Sequence, residues 1–228
     1  MRIAKYIANS GICSRRDAEE KIRDGVVKVN DITIDSPAIN VDDDDKISVE
    51  GQVITLNKPR LWLYYKPVGL ITTHKDPQNR LTIFESLPKT MPRVISVGRL
   101  DFNSEGLLLL TNSGEVACKF ENPRSKITRC YKVKIFGYGP EINIKNKQLV
   151  IEGVRYNPKL ITKIDQSSRS KNKLIHWYLV ELEEGKNREI RKIFNHYGYK
   201  VVKLIRISFG RYNLGNLQPG EIKEVDIL

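Results

Sequence analysis

The feature that most constrains the fold is an uninterrupted run of leucines at 107–110, which lies between Gly106 and the turn residues at 112–114. The run is too short for a helix and does not alternate with polar residues, so it predicts a strand in the interior of a sheet. One carboxylate, Asp101, precedes this strand on a loop that begins at Gly98. A loop that enters a rigid strand can hold a reactive side chain still. An acidic residue at such a place also commonly makes ordinary turn hydrogen bonds, so the spacing leaves both interpretations open.

Length and charge predict two domains and a polyanionic partner. The chain of 228 residues can hold two small domains or one large one, and its formal net charge of +12 suits nucleic acid or an anionic membrane surface. Residues 1–57 hold 8 basic and 11 acidic residues, whereas residues 58–228 hold 31 basic and 16 acidic residues. We therefore predict a small domain at 1–57 and a larger one at 58–228, which carries most of the polyanion-binding surface.

Cysteine usage disfavours a disulfide framework or a zinc site. Cys13, Cys118 and Cys130 are odd in number and widely spaced, so each is predicted to be a small buried apolar residue.

No stretch approaches the roughly 20 apolar residues of a membrane span, and the first residues lack the apolar core of a signal peptide. We expect a cytoplasmic protein without a metal or cofactor.

The pattern of the first 57 residues predicts two helices followed by short strands. The first helix covers 2–10, and the second begins at Ser14, which is a good N-cap with Asp17 three residues later. A hairpin at 26–34 and a strand at 46–49 follow. Arg15, Arg16 and Lys28 make this end of the module basic, which favours phosphate contacts, although a solvated helix face with i,i+4 ion pairs would look the same.

The larger module reads mainly as strands. We predict strands at 61–65, 70–73, 129–135, 175–182 and 203–209, a short helix at 115–120, and a helix in the segment 186–194 with Ile190, Ile193 and Phe194 facing inward. Residues 137–170 suggest helix and strand fragments, and the polar run 166–173 is predicted to be flexible.

Two sets of motifs resemble known families. Residues 98–101 (GRLD) and 105–112 (EGLLLLTN) resemble the signature of the RsuA-type ribosomal RNA pseudouridine synthases, and 184–191 and 203–210 resemble two further motifs of that family. Segments within residues 4–30 are similar to the small RNA-binding domain first defined in ribosomal small-subunit protein four, which these synthases carry at their N-terminus. The resemblance implies an α+β protein, in which a helix-helix-hairpin RNA-binding domain precedes a mixed, mostly antiparallel sheet. It is closest to the branch that acts on large-subunit ribosomal RNA near the peptidyl-transferase centre.

The resemblance also implies roles for individual residues. Asp101 would be the catalytic residue, Arg191 would pair with it, Tyr131 would stack on the target base, and Leu204 would pack beside the uracil. Three basic residues in or beside these motifs are expected to bind the substrate, namely Arg99, Lys186 and Arg188. The residues expected to contact RNA from the small domain are Ser14, Arg15, Arg16 and Lys28.

The implied reaction needs few chemical groups. The base-to-sugar bond of a uridine is broken, the base turns over in place, and its C5 atom is joined to the sugar. A carboxylate can attack C1′ or take the C2′ proton, and the sequence does not choose between these routes. A cation such as Arg191 would keep a buried Asp101 ionised, since it offsets the desolvation that raises a carboxyl pKa.

The expected partner is ribosomal RNA or a ribosome-assembly intermediate, with the protein acting as a monomer and away from membranes. Two other classes of protein would show a similar basic surface. One is a non-catalytic RNA-binding assembly factor, and the other is a membrane-surface protein.

Overall fold

A computed structural model describes residues 1–42, 44–164 and 174–228 of the chain. The N-terminal part has its own core beneath two helices and four short strands. These elements are α1 (Ile3–Asn9), α2 (Arg15–Arg23), β1 (Val27–Val29), β2 (Ile32–Ile34), β3 (Ile47–Val49) and β4 (Gln52–Ile54). The strands form an antiparallel sheet in the order β2-β1-β3-β4. The predicted helices and the first three strands are confirmed, whereas β4, the edge strand that pairs with β3, was not predicted.

A second, larger sheet dominates the rest of the chain. Its helices and strands are β5 (Leu61–Lys66), β6 (Ile95–Val97), β7 (Glu105–Thr111), α3 (Gly114–Glu121), β8 (Arg129–Phe136), β9 (Ile144–Lys145), β10 (Leu149–Ile151), β11 (Val154–Tyr156), β12 (Leu160–Lys163), β13 (Ile175–Leu182), α4 (Glu189–His196), β14 (Lys200–Phe209), β15 (Tyr212–Asn213) and β16 (Ile222–Val225). Eight strands follow the order β16-β5-β7-β14-β8-β13-β12-β9, β6 pairs with β7, β15 pairs with β14, and β10 and β11 form a separate pair. Among the described strands only β7 and β14 run parallel, so the predicted mixed, mostly antiparallel sheet is confirmed.

The leucine run forms the predicted buried strand. All seven residues of β7 are buried. Leu108 and Leu110 belong to one apolar core, and Leu107 and Leu109 belong to another on the opposite face of the sheet. Because both faces are covered at this strand, every position from 107 to 110 is apolar, which explains why the run does not alternate. The strand therefore gives the loop before it a rigid support.

Three predictions about the larger module were wrong. Residues 70–73 do not form a strand, because Gly69 adopts a φ of 86° and turns the chain, and only an isolated bridge from Ile71 to Thr82 remains. The described residues between 137 and 164 form strands and loops without a helix. Cys118 is exposed and Cys130 is partly exposed, and only Cys13 is buried as expected. The run 166–173, which we predicted to be flexible, lies outside the described residues.

The predicted domain boundary at 57/58 falls in the connection between β4 of the small sheet and β5 of the large sheet. The boundary itself stays a prediction. No helix within 1–42, 44–164 or 174–228 is long and apolar enough to cross a membrane. The parallel pairing of β7 with β14 joins Gly106 to Arg206 and Glu105 to Ile205. This pairing therefore brings the loop that carries Asp101 beside the segment that contains α4 and β14.

Candidate active site

A cleft of about 790 Å³ opens where the Asp101 loop, β8, β14 and the start of α4 come together. It is lined by all seven residues of the larger module that the sequence singled out, namely Arg99, Asp101, Tyr131, Lys186, Arg188, Arg191 and Leu204. These residues come from segments up to about one hundred positions apart in the chain. The fold thus assembles them at one place.

Asp101 lies at the mouth of the cleft, and its surroundings differ from the prediction. Its side chain is 41% exposed, and its Oδ2 atom lies 3.8 Å from Nη1 of Arg188. The expectation that Asp101 is buried and directly paired with Arg191 is therefore wrong for this structure. Arg188 makes this ion pair from a left-handed conformation, with φ of 53°, immediately before α4 begins.

Arg191 holds the backbone of the Asp101 loop. Its Nη2 atom donates to the carbonyl oxygen of Asn103 at 2.8 Å, and its Nη1 atom donates to that of Val201 at 3.1 Å. Burial and the nearby Arg188 lower the pKa of Arg191, while the negative charge of Asp101 acts in the opposite direction. Arg191 therefore acts on Asp101 at longer range and fixes the loop from which that residue projects.

The floor of the cleft is formed by one face of the paired strands β8 and β14. Tyr131 is 9% exposed, Leu204 is 7% exposed, and Arg206 is 2% exposed. Arg206 lies directly across from Tyr131 in the strand register, and Leu204 lies on the same face two residues earlier. Tyr131 and Leu204 thus present an aromatic ring and an aliphatic side chain to anything that enters the cleft.

Arg206 is a site residue that sequence reasoning missed. Its Nε atom donates to the carbonyl oxygen of Leu107 at 2.7 Å, so it ties β14 to β7 at the parallel pairing. Its buried Nη2 atom has no hydrogen-bond partner among the described residues. The available signal was its spacing of two from Leu204, which places both side chains on one face of a strand.

Lys66 is the second residue that the sequence did not identify as functional. It is fully buried, and its Nζ atom donates to the carbonyl oxygens of Pro67, Asp101 and Ser104 at 2.9, 3.2 and 2.9 Å. Burial lowers its pKa from 10.5 to about 8, although the negative charges of Asp101 and Glu105 oppose the shift. The ammonium group thus links the carbonyl oxygens of Asp101 and Ser104 and fixes the backbone of the Asp101 loop. A lysine that ends an apolar strand just before a proline was the signal.

The residues expected to contact RNA from the small domain lie apart from the cleft. Arg15 and Arg16 are exposed in the first turn of α2, and Lys28 is exposed on β1. Ser14 forms the predicted capping box, since its Oγ atom accepts from the backbone N–H of Asp17 at 3.1 Å. Arg15 forms an i,i+4 ion pair with Glu19 at 3.6 Å, as an ordinary helix face would. Their contact with RNA stays a prediction.

Both parts of the chain match known protein families. Residues 60–196 match a family described as RNA pseudouridylate synthase, and residues 1–47 match the S4 domain. An "Uncharacterized RNA pseudouridine synthase" of Rickettsia prowazekii is 56% identical over 98% of this chain and 94% of its own length. "Ribosomal large subunit pseudouridine synthase B" of Bacillus subtilis is 32% identical over 98% of this chain and 91% of its own length.

A crystal structure titled as that of a pseudouridylate synthase matches the fold. Its TM-score is 0.66 at 23% sequence identity, and the match covers 99% of this chain and 96% of that chain. The resemblance stated from the motifs is therefore confirmed at the level of the family and the fold. By these matches the protein belongs to the RNA pseudouridine synthases, with an S4 domain preceding the synthase domain.

Proposed function

We propose that the protein converts a specific uridine of large-subunit ribosomal RNA to pseudouridine, near the peptidyl-transferase centre, with Asp101 as the catalytic residue. The observation that carries the proposal is the convergence of Asp101, Tyr131, Leu204 and two arginines on one cleft from distant parts of the chain. Relatives named as large-subunit synthases support the choice of RNA. The motif resemblance supports the finer choice of region.

The geometry suits a base that has been flipped out of the RNA. Tyr131 offers a face on which a pyrimidine can stack, and Leu204 closes the same side of the cleft. The exposed carboxylate of Asp101 can reach the ribose, where it attacks C1′ or takes the C2′ proton. Arg188, whose Nη1 atom lies 3.8 Å from Oδ2 of Asp101, places a positive charge beside this carboxylate.

Basic residues around this centre would hold the RNA backbone. Arg99, Lys186 and Arg188 are exposed at the cleft, and Arg15, Arg16 and Lys28 are exposed on the S4 domain. We propose that the S4 domain binds ribosomal RNA or an assembly intermediate and so selects the region from which the uridine is presented. In this proposal the protein acts as a monomer in the cytoplasm and needs no cofactor, since the reaction is an isomerisation.

The assignment is tested with Asp101→Asn, which keeps the size of the side chain and removes its charge. Asp35→Asn is the matched control, because Asp35 is an exposed carboxylate that does not line the cleft. Purified proteins are incubated with unmodified ribosomal RNA fragments, and both pseudouridine and RNA affinity are measured. We expect Asp101→Asn to abolish pseudouridine formation with its affinity for RNA retained, and Asp35→Asn to behave as the wild type.

Two results would contradict the proposal. Near-normal turnover by Asp101→Asn removes that residue from the chemistry. Tight RNA binding by a wild type that modifies none of the fragments supports the assembly-factor alternative. Mapping of modified uridines in cells with and without the gene then identifies the target.

A further inference from the structure

The loop from β13 to α4 places two carboxyl groups side by side in the wall of the cleft. Glu189 is 3% exposed at the first position of α4, and Glu184 lies partly buried five residues earlier. The two side chains are within hydrogen-bonding reach of each other. Arg188, the residue that pairs with Asp101, lies between them in the chain.

The hydrogen bonds of this pair leave one atom unexplained. The Oε1 atom of Glu184 accepts from the backbone N–H of Asn157 at 2.6 Å, and its Oε2 atom accepts from Nζ of Lys186 at 2.6 Å. The Oε2 atom of Glu189 accepts from the backbone N–H of Lys186 at 3.2 Å, but its buried Oε1 atom has no partner of its own among the described residues. A buried carboxylate oxygen without a donor is strongly destabilising. A proton on Glu189 removes this cost, because the acid can then donate to Glu184.

The charges around Glu189 favour the same protonation state. The charged groups that face it are Glu184 and Lys186 from its own loop and Arg129 from β8. Burial and the adjacent Glu184 raise the pKa of Glu189 to about 8, despite the opposing effect of Lys186. The pair therefore shares a single negative charge at neutral pH.

We propose that Glu189 is a positioning residue, whose protonated carboxyl donates to Glu184 and so holds residues 184–189 in the conformation in which Arg188 faces Asp101. The same loop is further fixed by Lys186, whose Nζ atom donates to the carbonyl oxygen of Arg155 beyond it. Loss of the shared proton places two carboxylates in contact inside the wall, where they repel each other. Arg188, which adopts a left-handed conformation there, then leaves Asp101. The inference rests on the proposed role of Asp101.

The first test measures the turnover number against pH between 6 and 10. Glu189→Gln supplies an amide donor that cannot ionise, so we expect the turnover of the wild type at pH 7 and a smaller loss of activity at alkaline pH. Glu189→Ala removes the donor, and a displaced Arg188 is expected to lower turnover by about 100-fold with RNA affinity retained. Glu141→Gln is the control, since Glu141 is a carboxylate outside the cleft in an ion pair with Lys163 at 3.8 Å. We expect its profile to match that of the wild type.

The second test is the melting temperature against pH, which does not depend on catalysis. The pKa of Glu189 is raised in the folded state, so the wild type loses stability as pH rises from the ordinary glutamate range through about 8. Glu189→Gln lacks this loss, and its melting temperature is expected to gain on that of the wild type between pH 5 and 9. A constant difference between the two proteins overturns the shared proton, even if the wild type proves inactive on the chosen RNA. A second outcome would overturn the positioning role alone. In it, the melting temperature of Glu189→Gln gains on that of the wild type as pH rises, but the two proteins lose activity equally at alkaline pH.

Discussion

At Gly106, strand β7 packs closely against the backbone of Arg206 on β14, and we expect the proposed activity to depend on this contact. The φ of Gly106 is 105°, and a Cβ atom there would lie 2.7 Å from the backbone nitrogen of Arg206 and closer still to its carbonyl oxygen. Ordinary contacts begin near 3.4 Å, so β7 and β14 would have to separate by about 0.7 Å or more. Backbone strain costs about 1–3 kcal/mol and overpacking about as much again. We therefore expect Gly106→Ala to lower the free energy of unfolding by about 2–6 kcal/mol.

Activity is expected to fall further than stability alone predicts. The separated strands carry the Asp101 loop on one side and Leu204 on the other, and a displacement of about 1 Å can reduce turnover by about 100-fold. Urea unfolding followed by circular dichroism measures the stability, and pseudouridine formation below the unfolding transition measures the activity. Gly114→Ala is the matched control, because Gly114 begins α3 with no positive φ and no atom of the described residues within 4 Å of its added Cβ. Equal urea midpoints for the two variants would show that the strands do not approach as closely as described.

Two more predictions concern charged groups. The folded state lowers the pKa of Lys66 to about 8, so it releases a proton before the unfolded state does, and the free energy of unfolding should rise between pH about 8 and 10.5. Lys66→Met lacks this rise, and an equal rise in urea unfolding of both proteins would contradict the assignment. In the S4 domain, changing both Arg15 and Arg16 to Gln should weaken RNA binding. The slope of the logarithm of the RNA-binding constant against the logarithm of the salt concentration should become shallower by about 1–2. Lys46→Gln is the control, since Lys46 pairs with Asp31 at 3.3 Å, and an equal effect would place the contact elsewhere.

Local patterns in the chain determined most of the elements. The leucine run predicts β7 because a strand covered on both faces does not need to alternate apolar with polar residues. The pair Ser14 and Asp17 predicts the start of α2, since a capping box depends only on residues three apart. The inward faces of Ile190 and Phe194 follow from helical spacing in the same way. Such features depend on neighbours in the sequence and can be read before any fold is known.

Motif resemblance also identified seven of the residues that line the cleft, although it could not supply their mutual distances. It paired Asp101 with Arg191, whereas the ion pair in the structure is made by Arg188. Arg188 adopts a left-handed conformation immediately before α4, and no periodicity reveals a backbone angle of that kind.

Long-range packing decided the remaining features of the site. Lys66 meets the carbonyl oxygen of Ser104 across 38 positions, Arg191 meets that of Asn103 across 88, and Arg206 meets that of Leu107 across 99. The Arg206 bond depends on the pairing of β7 with β14, and the Lys66 bond depends on the pairing of β5 with β7. Both satisfy buried polar groups that an apolar core would otherwise leave without a partner. The sequence alone determined which residue types were available for the reaction. The pairing of distant strands decided which of them hold the Asp101 loop, because only that pairing sets the distances on which hydrogen bonds and ion pairs depend.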